Sequence, residues 1–150
     1  MKTFRLFAAV AVMLVSPLAV AADGLVALKS PYTAVETMDR LEAEVKARSL
    51  NVFARIDHAA GAQKVGKSLR ATEVLVFGNP KGGTPFMACA QTVGIDLPLK
   101  ALVWEDESSQ VWLGYNDPAF IAERHGTSEC GVVPKLQKAL SGIAEATVAR

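Results

Sequence analysis

The short run EVLVF, residues 73–77, constrains the fold more than any other stretch of this chain. A continuous apolar run ahead of a glycine-rich turn predicts a central strand buried on both faces. Around it, strand-length and helix-length patterns alternate. Residues 24–29 (GLVALK) read as a first strand, stopped by Ser30-Pro31. Thr33 and Glu36 have capping-box spacing, and Val35, Met38, Leu41 and Val45 follow at helical intervals, which predicts an amphipathic helix over about 33–49. Residues 51–57 (NVFARID) alternate, with Val52, Ala54 and Ile56 on one face and Phe53, Arg55 and Asp57 on the other. Residues 59–66 are small and polar, a turn or short helix, and residues 84–93 form a short helix after the glycines. Two strands, 99–105 and 110–115, are separated by DESS and predict a hairpin. Asp117-Pro118 opens a helix to about Arg124, and Val133, Leu136, Leu140 and Ile143 stripe a C-terminal helix. The order β-α-β-β-α-β-β-α-α predicts an α+β fold: a mainly antiparallel sheet with helices packed on one face.

The N-terminus sets the expected compartment. Lys2 and Arg5 precede an uncharged run of 17 residues from Leu6 to Ala22, and Ala19-Val20-Ala21 supplies a small-x-small cleavage signal. Residues 1–21 therefore read as a secretory signal peptide and residues 22–150 as a single domain, periplasmic or secreted, with no stable membrane insertion after cleavage. Two of the 16 basic residues fall in the leader, so 14 face 15 acidic ones in the mature chain, a formal charge of −1. A near-neutral surface has no broad field for nucleic acid. Cys89 and Cys130 both lie in the exported part, and an even count in an oxidising compartment favours a disulfide. A bridge across those 41 positions would stabilise the fold by roughly 4 kcal/mol in the chain-entropy model.

Several residues carry chemistry that could be used. The stretch VFGNPKGGT, residues 76–84, resembles a phosphate cradle, yet it lacks both the GxxxxGK[ST] and the GxGxxG spacing. It reads as a strand-turn-helix in which Thr84 caps the helix, with Lys81 and free N–H groups offering an anion site. His58 follows Asp57 at a strand end, where an imidazole could exchange protons or sit as a satisfied turn residue. His125 lies near a helix end, placed to interact with the last carbonyls. The acidic run WEDE, residues 104–107, reads first as a solvated hairpin tip and second as a source of acid and base groups. Trp112 and Tyr115 line a pocket or fill the core. With no HxxxH, HExxH or CxxC spacing, no metal site is expected, and no cofactor.

Four ordered blocks resemble a known family: FARIDHAAGA (53–62), LVFGNPKGGTPFM (75–87), IDLPLKALVWED (95–106) and VWLGYNDPAFIAERHG (111–126). They are similar to the domain-of-unknown-function 302 family across nearly the whole mature chain. The resemblance implies a small α+β domain, often exported, with no assigned activity and some tendency to self-associate. Its motif positions include Asp57, His58, Gly78 to Lys81, Gly83, Thr84, Asp96 to Pro98, Trp104 to Asp106, Tyr115 and Asn116; Cys89 and Cys130 are outside the pattern.

The leading expectation is a non-enzymatic exported domain that binds a small molecule or an anion. His58, Asn79, Lys81, Thr84, Glu105 and Tyr115 are its candidate ligand contacts, brought to one cleft if the strand ends converge. One alternative is a dimerising structural module. The other is a hydrolase or isomerase with His58 as base, oriented by Asp57 or Glu105.

Overall fold

A computed structural model describes residues 23–150; the leader expected over 1–21 lies outside the described residues. Five strands form one antiparallel sheet in the order β1-β5-β4-β3-β2: β1 (Leu25–Ser30), β2 (Asn51–Asp57), β3 (Thr72–Gly78), β4 (Leu99–Glu105) and β5 (Val111–Asn116). The helices are α1 (Ala34–Ala47), α2 (His58–Lys64), α3 (Pro80–Cys89), α4 (Pro118–Arg124) and α5 (Val133–Val148), with a 3-10 turn at Gln91–Ile95. This is the α+β arrangement expected from the order of periodicities.

Alternation along the strands gives the sheet two unlike faces. Leu75 and Phe77 of β3, Ala101 and Val103 of β4, and Val111, Leu113 and Tyr115 of β5 point to one side. There they meet Met38, Leu41 and Val45 of α1 and Leu140, Ile143 and Ala144 of α5, all buried. Thr33 caps α1 as its spacing predicted, accepting from the Glu36 N–H at 3.2 Å. Arg40 Nε then donates to the Thr147 carbonyl at 2.7 Å and ties α1 to α5.

The other face holds Val74, Val76, Leu102, Trp104 and Trp112, all partly exposed. EVLVF is thus an interior strand covered by helices on one side only, a correction to the two-faced burial expected of it. Trp104 and Trp112 are direct cross-strand partners, stacked with ring centroids 6.2 Å apart. Gly114 makes room for that pair: a Cβ there would lie 2.9 Å from the Trp104 ring and 3.1 Å from the Val26 carbonyl oxygen.

Strand β2 departs from simple alternation. Its register against β3 shifts between Val52 and Ala54, a β-bulge. Val52 therefore packs against the helix-side core, while Ala54 and Ile56 face the open side; the sequence pattern had placed all three together. Phe53, the extra residue, is 56% exposed. Bulges re-aim side chains in this way.

Candidate functional site

The glycine stretch folds differently from its sequence reading. Helix α3 begins at Pro80, so Gly82 and Gly83 lie inside the helix and Thr84 is not its cap. Asn79 is: its Oδ1 accepts the Gly82 N–H at 3.0 Å. Proline at the first helical position has no N–H to offer, which suits a helix start. The glycines answer to packing. A Cβ at Gly82 would lie 3.2 Å from Leu136 Cδ2 of α5, and one at Gly83 would lie 3.5 Å from Leu97 Cδ1. Missing side chains bring α3 close to α5 and to the chain before β4.

Where α3, α5 and the ends of β2, β3 and β4 meet, they enclose a cavity of about 370 Å³. Phe77, Leu97, Leu136 and Leu140 form much of its wall, with Phe53 and Met87, both partly exposed, also lining it. No charged side chain lines it. The polar side chains at its wall are Asn79, already engaged in capping, and Thr84. A concave, almost wholly apolar space of this size falls in the range of roughly 300–1,000 Å³ typical of small-molecule sites.

The other sequence candidates lie elsewhere. In the β2–β3 register Asn51 faces Gly78 and Asp57 faces Glu73, so Asp57 and Asn79 sit at opposite ends of the sheet. Five steps along β3 separate those ends by about 17 Å, at roughly 3.4 Å per residue. His58 is exposed on the first turn of α2, and its ring makes no hydrogen bond among the described residues. Asp57 caps that helix, accepting the Ala60 N–H at 2.8 Å. Glu105 shares this end, on the far side of β3, where its N–H donates to the Ala71 carbonyl at 2.9 Å. The single cleft edged by His58, Asn79, Lys81 and Glu105 does not form. Asn79 and Thr84 meet at the apolar cavity; Lys81 is exposed on α3 and does not line it. Tyr115 is buried beside a separate cavity with Val26, Asp117 and Gln137. Burial, and then the charges of Asp117 and Glu145, push its phenol above the ordinary value.

The acidic tip is a backbone device. Asp106 Oδ1 accepts from the Ser108 N–H, the Ser108 hydroxyl and the Gln110 N–H, while Oδ2 accepts from Trp112 Nε1 at 2.7 Å. These donors, Ser108 and Trp112 foremost, lower its pKa from 3.8 to about 2. Nearby on β2, Arg55 bonds Glu73, Asp39 and Glu42, joining α1 to the sheet edge.

His125 does not serve the last carbonyls of α4, as its position had suggested. Its Nε2 lies 2.7 Å from Asp96 Oδ2 and its Nδ1 lies 3.0 Å from the Thr92 hydroxyl. A carboxylate only accepts, so Nε2 carries the proton given to Asp96. Arg124 also donates to Asp96 Oδ1 at 2.9 Å. Together the two side chains clamp the 3-10 turn ahead of the Leu97-Pro98 cis peptide, next to the cavity wall.

Residues 26–143 match a family described only as a domain of unknown function, DUF302. The chain belongs to the DUF302 family. A solved relative, the "uncharacterized conserved protein DUF302 from Bacillus stearothermophilus", superposes with a TM-score of 0.76 over 84% of this chain and 99% of that one, at 18% identity. At that identity the likeness concerns the DUF302 fold alone. Among curated relatives, the proteins named fluoride-specific ion channel FluC 1 in Brucella suis and Brucella abortus are each 48% identical over 103 residues, 69% of this chain. The aligned part is only 41% and 38% of those proteins' own lengths.

The cavity of this DUF302 domain was the part hidden from sequence reasoning. Phe53 reaches it through a bulge, and Leu136 and Ala139 reach it from a helix far along the chain. One signal was present: two consecutive glycines beside Asn-Pro are as compatible with a closely packed helix start as with a loop. Among the described residues, no group of three or more His, Cys, Asp or Glu side chains is placed to hold a metal ion.

Proposed function

We propose that this protein is an exported binding domain for a small, uncharged, apolar molecule, held in the cavity between α3 and α5. The observation that carries this reading is the lining: an open concave space of about 370 Å³ with apolar walls and no charged side chain, Asn79 and Thr84 being its polar residues. Burying an apolar ligand there gains about 25 cal/mol per Å² removed from water. The anion alternative has less support, because Pro80 has no N–H and Asn79 already takes the Gly82 N–H. Export rests on the leader-like N-terminal sequence and on the paired cysteines.

The Brucella relatives carry the channel name as whole proteins, and the matched segment is about two fifths of each. Among the described residues no helix is long and apolar enough to cross a membrane.

Titration with the neutral fluorophore N-phenyl-1-naphthylamine tests the reading. Ala139→Trp places an indole on the cavity wall and should weaken binding by about tenfold or more, near 1.4 kcal/mol, with the circular dichroism spectrum retained. Equal affinity for both proteins would remove the cavity as the site.

A dimerising module is the second reading, favoured by the open sheet face with its stacked Trp104 and Trp112 and the 45% exposed Ile56. Sedimentation equilibrium of the wild type and of Ile56→Lys decides it: a dimer that the lysine dissociates supports the module, and a monomer at all concentrations removes it.

A further inference from the structure

The two long walls of the cavity are not held equally. Helix α5 is anchored in the main core through Leu140, Ile143 and Ala144, packed against α1 and the sheet. Helix α3 supplies Pro80, Gly82, Gly83, Thr84 and Met87 to the opposite wall, yet only Phe86 of this helix is buried. Its main neighbour is the 3-10 turn that follows it. Phe86 enters a second, smaller cluster with Val93, Ile121, Ala122, Cys130 and Val133. At the last residue of α3, Cys89 forms a disulfide with Cys130, three residues before α5 begins. One buried side chain, one covalent bond and the close approach of two glycines to Leu136 and Leu97 therefore hold a wall that contributes five residues to the site.

That bond is open to attack from one side. Cys89 is exposed, Cys130 is 6% exposed, and both edge a surface depression that includes Gly126 and Glu129. An incoming thiolate meets the Cys89 sulfur first. Exposed disulfides are the more readily reduced ones.

We infer that the Cys89–Cys130 disulfide is a redox control on the apolar cavity, broken by a dithiol reductant and re-formed by reverse exchange with that reductant's own disulfide. The inference rests on the ligand-binding reading above. A thiolate of the dithiol forms a bond to Cys89 Sγ, the Cys89–Cys130 bond breaks, and Cys130 leaves as a thiolate and takes a proton. The second thiolate of the reductant then attacks the mixed disulfide and frees Cys89, which is protonated in turn. Two electrons and two protons pass to the protein, and the reductant departs as its own disulfide. With the crosslink gone, α3 keeps the Phe86 anchor and the close approaches of Gly82 to Leu136 and of Gly83 to Leu97, and its contact with α5 loosens. The cavity then loses the fixed width that an apolar occupant needs. By reciprocity, a ligand that prefers the crosslinked form makes the disulfide harder to reduce by the same factor.

The experiment titrates N-phenyl-1-naphthylamine into the full chain in its oxidised form, after dithiothreitol, and as the Cys89→Ser/Cys130→Ser variant. The expected result is an affinity about tenfold lower for the reduced protein and the variant, with the far-UV spectrum kept. Saturating probe should then shift the disulfide midpoint about 30 mV more negative, the equivalent of a tenfold ratio for two electrons. Equal affinities with an unmoved midpoint overturn the redox control and leave the binding reading standing. No binding even to the oxidised protein removes both. Loss of the far-UV signal on reduction also overturns it, because the bond would then hold the fold and not gate a cavity.

Discussion

The two ends of the sheet differ in what their side chains have left to offer. At the Asp57–Glu105 end the polar groups are numerous and largely occupied: Asp57 caps α2, Asp106 organises the β4–β5 turn, and Arg55 gathers three carboxylates. At the Gly78–Leu99 end polar groups are few, and the apolar surface around Phe53, Met87 and Leu97 is incompletely covered. Buried or half-buried polar groups are satisfied locally because leaving them unpaired is costly, whereas exposed apolar concavity is satisfied by a second molecule. A cluster of acids and a histidine in a sequence therefore signals backbone support at least as readily as chemistry. The proposed binding cavity lies at the other end, lined by glycines, prolines, aliphatic side chains, Met87, Phe53 and Phe77, with Asn79 and Thr84 its polar side chains.

Breaking the apolar end should cost the most. Phe86→Ala empties the centre of the second cluster, and urea unfolding should show a loss of about 3–5 kcal/mol. Retention of full stability would mean that α3 does not depend on that cluster. Gly114→Ala probes the open face between the two ends: its new Cβ meets the Trp104 ring and the Val26 carbonyl, and the overpacking should cost about 1–3 kcal/mol. A change within measurement error would show that the tryptophan pair yields freely.

His125→Ala should cost about 1 kcal/mol, since Arg124 still holds Asp96 when the imidazole is gone. Because the clamp borders the cavity, the same variant should also weaken N-phenyl-1-naphthylamine binding; unchanged affinity would confine the clamp to stability. The polar end responds to acid. Asp106 has a folded pKa of about 2 against 3.8, so its stabilisation is present above the ordinary carboxylate value and is lost as pH falls towards 2. Thermal melts of Asp106→Asn should therefore fall less steeply than those of wild type between pH 4 and 2. Parallel curves would deny Asp106 that role. The smallest effect belongs to His58→Ala, expected within about 0.5 kcal/mol of wild type and with unaltered probe affinity. A large loss of binding there would reverse the comparison between the two ends.

Much of the fold was legible in local patterns. The Thr33 cap, the stripe of Met38, Leu41 and Val45, the 99–105 and 111–116 hairpin and the Asp117 helix start all stand close to where their residue types placed them. Each depends on neighbours a few positions away, and such short-range preferences survive folding. The misreadings came from longer range. Val52 and Ala54 part company because a bulge interrupts a period of two, and nothing in the alternation of side chains announces it. Helix α3 starts at Pro80 because Asn79 caps it, and only the approach of Leu136 and Leu97, residues distant along the chain, shows that its two glycines serve packing and not a loop.

By itself, the sequence determined the element order, the sheet-and-helix class and the residues able to pair as a disulfide, since periodicity, capping and composition are properties of short segments, and four ordered blocks resembling a family added its membership. Tertiary structure alone decided which strand end is polar and self-satisfied, which is apolar and open, and that a crosslink ties the end of α3 to the segment just before α5. Those outcomes depend on register and on close approach between segments far apart in the chain, where one bulge or one missing Cβ settles what touches what.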